Sequence, residues 1–556
     1  MKLNLKSLEN RKEWEDALFE LPRFDVPSMK EETRARPVWV HMGAGNIFRA
    51  FMANVWQQIL NERYAQAASD ADNGGPRPGW PLAGIVAADG YDYEIARRMY
   101  EPHDNLGVLV TLKADGGIEK TVIASIAESY ALDRGDREAW GRMCGIFRNP
   151  SLQMVSFTIT EKGYSLKDAT GKVRGDVEAD FAAGPGGAES YVGKIAALLH
   201  ERYMAGGHPV AMVSMDNCSH NGDKLFGAVE PFAKAWADRG LAEPGFYKYI
   251  TDPGAVSFPW SMIDKITPRP DDSVKQMLAG CGFEDAEGIL TSKNTYVATF
   301  VNAEEPQYLV IEDAFPGGRP PLEEGGVIFT DRETVNKVER MKVCTCLNPL
   351  HTAMATFGCL LGYSLISEEM KNPRIHRMLE QIGYREGLPV VTDPGILSPR
   401  AFIDEVINVR LTNPFMPDTP QRIVEDTSHK VAIRFGETIK AYMADSKLDA
   451  GSLKGIPFAI AGWCRYLMGV DDGGDEMGLS PDPMLGVLCP RMAGITLGEK
   501  DTAKIHGALR PILSDVGIFG VDLYEAGLGS RVEEYFAMMC AGPGAVEETL
   551  CRVWPA

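Results

Sequence analysis

The chain has 556 residues, 45% hydrophobic and 24% charged, a composition that can bury the cores of two or more domains and is unlike that of a disordered chain. Its formal net charge of -20 argues against a nucleic-acid backbone or an anionic membrane surface as principal partner, yet leaves room for a small anionic substrate in a local basic pocket. The ten cysteines are scattered with no CxxC pair, the usage expected of reduced thiols in a cytoplasmic protein.

The opening MKLNLKSLENRKEWEDALFE mixes charges throughout and has no apolar core, so no signal peptide is expected. No uninterrupted apolar run reaches the roughly 18–20 residues that span a bilayer. Residues 1–36 read as a helical leader. PVWVHMGAGNIFRAF then supplies an apolar strand, a Gly turn and a helix start. SDADNGGPRPGW (69–80) is rich in Gly, Pro and Asp and reads as a surface insertion. LAGIVAADG (82–90) is a buried-type strand ending in an acid, and 108–128 reads as a hairpin turning at DGG.

LQMVSFTIT (152–160) and PVAMVSMDN (209–217) are further apolar strands, with the helical pattern SYVGKIAALLHERYMAG between them. Strands alternating with helices predict a mainly parallel α/β sheet. The Pro/Gly-rich tail of 307–326 is a plausible linker, and the pattern after it is mostly helical. The expected organisation is a Rossmann-type α/β domain with extra strands over 1–331 and a mostly α-helical domain over 332–556.

Gly43-Ala44-Gly45-Asn46-Ile47-Phe48-Arg49 lies between the strand VWVHM and the pattern AFMANVWQQIL. Strand, Gly-x-Gly and helix set backbone N–H groups and a helix N-terminus against a pyrophosphate. Phe48 stands where a third glycine is usual, so an ordinary tight turn is the competing reading. Asp89 ends the next strand, where a carboxylate accepts from an adenosine ribose hydroxyl and repels a 2′-phosphate, favouring NAD over NADP. A capping or turn Asp is the alternative.

Polar clusters follow the later strands: TITEKGY (158–164), SMDNCSHNG (214–222) and SFPWSMIDKITP (257–268). At the C-terminal ends of an open α/β sheet such groups face the ligand crevice, and Asn217 is well placed to point there. With VIEDAFPGGRPP (310–321), MKVCTCLNPLHTA (341–353) and DTPQRIVEDTSHK (418–430), these stretches resemble the long-chain polyol dehydrogenases, the mannitol dehydrogenase and fructuronate reductase group. The match runs in order along nearly the whole chain. Ile263-Asp264-Lys265 replaces the family's Val-Asp-Arg.

The resemblance implies metal-independent hydride transfer between NAD and a secondary alcohol or ketone. It makes Lys342 the general acid–base, has Asn217 and Asn348 polarise the reacting oxygen, and gives His351 a substrate hydroxyl. Asp264, Arg422 and Lys430 match substrate-binding positions. Glu161 and Glu339 match a proton relay between the Lys and water. Gly43, Gly45, Asn46, Ile47, Arg49 and Asp89 form the cofactor-binding set. Amide donors and an ammonium stabilise the negative charge that grows on a carbonyl oxygen as hydride reaches its carbon.

Several of these residues have a plainer reading: a solvated helix Lys342, a hydrogen-bonded core His351, surface charges at Arg422 and Lys430, a capping Asp264, a loop-satisfying Asn217. Cys344, Cys346 and Cys359 read as small core hydrophobes. Cys-x-Cys with His351 lacks structural zinc spacing, so no metal is expected. The stretch also departs from the family, because one extra residue separates Lys342 from Asn348. Either a π-bulge absorbs it, or a new helix starts near Pro349 with Asn348 as its cap and Lys342 on a preceding turn.

A uronate substrate needs a cation beyond the hydroxyl-binding set, and Arg422, Lys430, Arg434, Lys293 and Arg269 are candidates. The wording of 291–316 and 345–354 is closer to the fructuronate reductase branch, which interconverts D-fructuronate and D-mannonate. Mannitol or another hexitol 2-dehydrogenase is the alternative, and a non-catalytic NAD- or sugar-binding regulator is a remote one. The expected partner is thus a small sugar acid or polyol. The oligomeric state is not legible.

Overall fold

The computed structural model describes residues 1–72 and 83–555. The expected insertion at 69–80 lies for the most part outside the described residues; its first residues complete the helix Ala53–Asp72. The chain divides into two compact units, Met1–Lys113 with Gly117–Asn336, and Ala114–Gly116 with Lys337–Ala556. The division falls within the helix Arg332–Met341, whose first residue follows the boundary expected from sequence.

The first unit is built on a six-stranded sheet. Its strands are β1 (Trp39–Met42), β2 (Ile85–Asp89), β3 (Ile126–Ala131), β4 (Met154–Phe157), β5 (Val210–Ser214) and β6 (Val256–Ser257). They lie in the order β3-β2-β1-β4-β5-β6, and every neighbouring pair is parallel. This is the doubly wound order, and the direction of winding reverses between β1 and β4. The strands read as unbroken apolar runs because both faces are covered. Trp39, Ile85, Met154 and Ala211 enter one buried cluster. Their neighbours Val40, Val86, Val155 and Met212 enter the other, the two-residue alternation of a pleated strand.

Three details differ from the sequence expectation. Phe19–Glu20, inside the helical leader, pairs in parallel with Ile118–Ile123. That strand is the second arm of the expected hairpin with Gly107–Leu112, and Phe300–Glu304 completes a mixed four-stranded sheet. The Pro/Gly-rich tail is not an interdomain linker. It connects Tyr308–Glu312 to the parallel strand Ile328–Thr330 in a small sheet that also contains Ser261–Asp264. Arg319 braces this connection by bonding Asp313 and Glu323 while its guanidinium lies over the Phe329 ring.

The second unit is helical. Its centre is the helix Asn348–Leu360, buried along nearly its whole length and packed against Gly455–Tyr466 and Pro420–Ile423. Only glycine fits at 462, since a Cβ there would stand 2.7 Å from the Phe357 ring. Phe357 in turn stacks on Phe458, with centroids 5.2 Å apart. Helix Gly455–Tyr466 has no capping side chain of its own. The Glu386 carboxylate takes that place and accepts from the N–H groups of Lys454, Gly455 and Ile456 at 2.7, 2.6 and 2.9 Å, satisfying donors that a helix start leaves open.

Candidate active site

The glycine turn follows β1 at the point where the sheet reverses. Gly43 has φ +105, and a Cβ on it would lie 2.2 Å from the Thr158 carbonyl at the end of β4. Both the backbone conformation and the close strand-to-strand approach therefore require glycine. At Gly45 a Cβ would meet nothing within 4 Å, so the backbone there borders open space, as a turn approached by a ligand does. Gly45, Asn46 and Ile47 are the partly exposed lip of an otherwise buried segment.

The missing third glycine is compensated locally. His41 on β1 stacks on Phe48, with ring centroids 4.0 Å apart and planes 6° apart. Its ring nitrogens lie 2.7 Å from Ser156 Oγ and 2.9 Å from Thr158 Oγ1. Burial lowers its pKa from 6.5 to about 3. The helix begins with a π turn over Phe48–Met52. Arg49, expected to touch the cofactor, is instead interior: Nη1 donates to the Ala298 carbonyl at 2.6 Å and Nη2 to Asn46 Oδ1 at 3.0 Å. It positions Asn46, the residue on the lip.

Asp89 closes β2 and is 7% exposed. Its Oδ1 accepts from the N–H groups of Tyr91 and Asp92 at 2.8 and 2.7 Å, and its Oδ2 from that of Ala44 at 3.3 Å. Desolvation raises its pKa while these three bonds oppose the rise. Asp89 thus ties the glycine turn to the end of β2, and its carboxylate retains lone pairs for a further donor.

Along the same edge, Asp216 organises the loops after β4 and β5. It accepts from the N–H groups of Ile159 and Thr160 at 3.0 and 2.8 Å and from the Tyr164 hydroxyl at 2.5 Å. Thr160 is held at φ +63. Asn217, the next residue, is exposed at the C-terminal end of β5. Asn221 donates to the Asp216 carbonyl and the Ser261 hydroxyl, and accepts from Ser261 N–H. That web fixes the start of Ser261–Asp264, whose last residue is the buried Asp264. Glu161 is exposed and forms an ion pair with Lys224.

In the second unit a π turn takes up the extra residue and a new helix follows it, in which Asn348 is the first residue and not the expected cap; Leu347 holds the cap position with no side-chain bond. Lys342–Cys346 forms a π turn, with Leu347 N–H bonded to the Lys342 carbonyl at 3.1 Å. The helix breaks at Leu347 (φ -125, ψ -62) and restarts at Asn348 with Pro349 in its first turn. Lys342 is 3% exposed. Cys344 and Cys346 are buried inside the π turn, and desolvation raises both thiols, Cys344 to about 11. Asn348 and His351 share one helix face. Glu339 sits one turn before Lys342, half-buried.

Around His351 the charges are sorted. Arg422 grips Asp418 through two bonds, Nε to Oδ1 at 2.6 Å and Nη2 to Oδ2 at 2.5 Å. The Lys430 ammonium donates to the carbonyls of Ile423 and Glu425. Burial lowers the His351 pKa to about 4; Asp418 opposes the shift, and Arg410, Arg434 and Arg422 add to it. The imidazole is therefore neutral near pH 7 and can both donate and accept. Asp216, Asp418 and His41 escaped sequence reasoning although each lies beside a motif residue. Their signal was the motif itself, read only for the residues that face outward.

Matches to known proteins agree with this geometry. Residues 38–324 match the model of the mannitol dehydrogenase Rossmann domain and 334–532 that of the mannitol dehydrogenase C-terminal domain. The D-mannonate oxidoreductase of Thermotoga maritima is 49% identical over 100% of this chain and 99% of that protein. A mannitol 2-dehydrogenase of Pyrenophora tritici-repentis is 30% identical over 91% of this chain and 80% of its own length. Among solved structures, substrate-free D-sorbitol dehydrogenase has a similar fold (TM-score 0.75, 24% identity, 97% of this chain and 98% of that one). So does Pseudomonas fluorescens mannitol 2-dehydrogenase in its complex with NAD and D-mannitol (TM-score 0.67, 24% identity, 100% and 99%).

Proposed function

The chain belongs to the mannitol dehydrogenase family, and on that premise we propose that it is an NAD-dependent oxidoreductase interconverting D-fructuronate and D-mannonate. The observation that carries the sugar-acid reading is the 49% identity, end to end, with a D-mannonate oxidoreductase. Hexitol 2-dehydrogenation is the second reading, supported by the 30% identity to a mannitol 2-dehydrogenase.

The first unit has the features that fit NAD: open space at Gly45, a Gly43 that no other residue replaces, and Asp89 at the end of the second strand. NAD, when bound, supplies the hydride acceptor, and NADH the donor. Gly43, Gly45, Asn46 and Ile47 would lie along the pyrophosphate, with Arg49 holding Asn46 in place. Asp89 would accept from the ribose.

The second unit supplies the proton. Lys342, on its π turn, gives a proton to the reacting oxygen in reduction and takes one in oxidation. The Asn348 amide donates to that oxygen as charge grows on it. His351, neutral at working pH, holds a substrate hydroxyl. Asn217 and Asp264, at strand ends of the first unit, keep the oxygen-polarising and substrate-binding roles that the family resemblance gives them. Glu161 and Glu339 keep that of the proton relay, and Arg422 and Lys430 that of substrate contacts.

The test is NADH oxidation by the pure protein on addition of D-fructuronate, D-tagaturonate or D-fructose. Fastest turnover with D-fructuronate is expected. Fastest turnover with fructose would move the assignment to a hexitol dehydrogenase, and NADH binding without turnover of any keto-sugar would sink the enzyme reading.

A further inference from the structure

We propose that Arg434 is the anchor for the substrate carboxylate, a role that rests on the sugar-acid reading above. Of the cations around His351, Arg410 is buried and already engaged, and Arg422 is neutralised by the two-point grip on Asp418. Lys430 directs its ammonium to the backbone carbonyls of Ile423 and Glu425, which leaves one N–H for a substrate hydroxyl and no fork for a carboxylate. Arg434 differs. Its Nη1 donates to Thr352 Oγ1 on the His351 helix, and among the described residues it meets no carboxylate. The guanidinium has five N–H donors in a planar fork, so most of its capacity is open.

Its placement is built, not incidental. Arg434 lies on a π turn, Ala432–Gly436, and that turn packs against the π turn of Lys342. Two bonds from the flanking helices fasten this packing: Arg340 Nη2 to Glu437 Oε2 at 2.9 Å, and Thr438 Oγ1 to the Cys344 carbonyl at 3.5 Å. Gly436 ends the second turn against the Phe519 carbonyl, where a Cβ would stand 1.9 Å away. Helical irregularities of this kind re-aim side chains and cluster at functional sites. Here the two re-aimed cations are the proposed acid–base and the proposed anchor, with His351 sharing the helix that Arg434 holds.

The charge balance points the same way. Arg434 and Arg410 both push the His351 proton off, and Arg434 also disfavours the charged form of Lys430. A neutral hexitol leaves that repulsion uncompensated. A carboxylate at the Arg434 fork relieves it and forms the bidentate pair that guanidinium favours. This set of cations therefore favours a keto-uronate over a keto-hexose of equal length.

The experiment compares D-fructuronate with D-fructose as substrates for the wild type, Arg434→Met and Arg434→Lys. Arg434→Met is expected to raise KM for D-fructuronate roughly 10- to 100-fold, the loss of a charge-assisted pair, while kcat/KM for D-fructose stays within about twofold. Arg434→Lys recovers part of the uronate affinity, and the melting temperature is unchanged in both, which verifies folding. An unchanged uronate KM in Arg434→Met overturns the anchor and leaves the sugar-acid reading standing. Equal losses for both substrates also overturn it, because the residue is then structural. A wild type that reduces D-fructose and not D-fructuronate overturns both.

Discussion

His41 and Phe48 lie face to face, centroids 4.0 Å apart, and this stack takes the place of the third glycine in the dinucleotide turn. A glycine there lets helix and strand approach. Here an aromatic ring fills the gap, and the first helical turn widens to a π turn over Phe48–Met52 to carry it. The imidazole also joins β1 to β4 through Ser156 and Thr158.

The stack carries an acid sensitivity. His41 is held neutral, with its pKa lowered to about 3 from 6.5. Between those values the unfolded chain binds a proton that the folded chain does not. Its contribution is fully present above pH 6.5 and is lost as pH falls toward 3. Denaturant titrations at pH 7 and pH 5 are expected to give a wild-type loss larger by about 2 kcal/mol than that of His41→Phe. Equal losses would place the acid response elsewhere.

Gly43→Ala and Gly45→Ala separate fold from binding. The first puts a Cβ 2.2 Å from a backbone carbonyl at φ +105, and is expected to cost more than about 2 kcal/mol and to abolish NADH binding. The second meets nothing within 4 Å, so thermal stability is retained while NADH binding weakens. A Gly45→Ala protein with wild-type NADH affinity would remove this turn from the cofactor site. Calorimetric melting and fluorescence titration read both.

Lys342→Met tests the acid–base. Turnover is expected to fall by roughly 10²–10⁴-fold, with NADH affinity intact because the change lies in the second unit. Near wild-type turnover would transfer the proton-handling role to another residue.

Asp89 has two tasks that a single variant can resolve. Asp89→Asn keeps an acceptor oxygen for the Tyr91 and Asp92 N–H groups and removes the charge that repels a 2′-phosphate. The NADH-over-NADPH preference is expected to narrow by about tenfold, one repulsion of roughly 1.4 kcal/mol, with little change in melting temperature. An unchanged preference together with a lowered melting temperature would leave Asp89 a purely structural tie.

Much of this molecule is written locally. The strand–turn–helix unit at Gly43, the apolar runs of β2, β4 and β5, the hairpin around DGG and the helix capped by Ser190 follow from periodicity, turn chemistry and caps. These act between residues a few positions apart, so sequence order displays them. The family motifs, in order, nominated Lys342, Asn348 and His351.

Tertiary structure decided what depends on distant partners. A residue type does not reveal whether its hydrogen-bonding capacity is used up, because the group that uses it can lie anywhere in the chain. Arg49 looked like a cofactor ligand until Ala298, far along the sequence, claimed its guanidinium. Arg422, Lys430 and Arg434 were equivalent cations as letters. Only packing showed the first gripped by Asp418, the second by carbonyls, and the third held by Thr352 with donors to spare. The extra residue before Asn348 was visible as spacing, but its resolution into a π turn and a broken helix at Leu347 was set by the core around it.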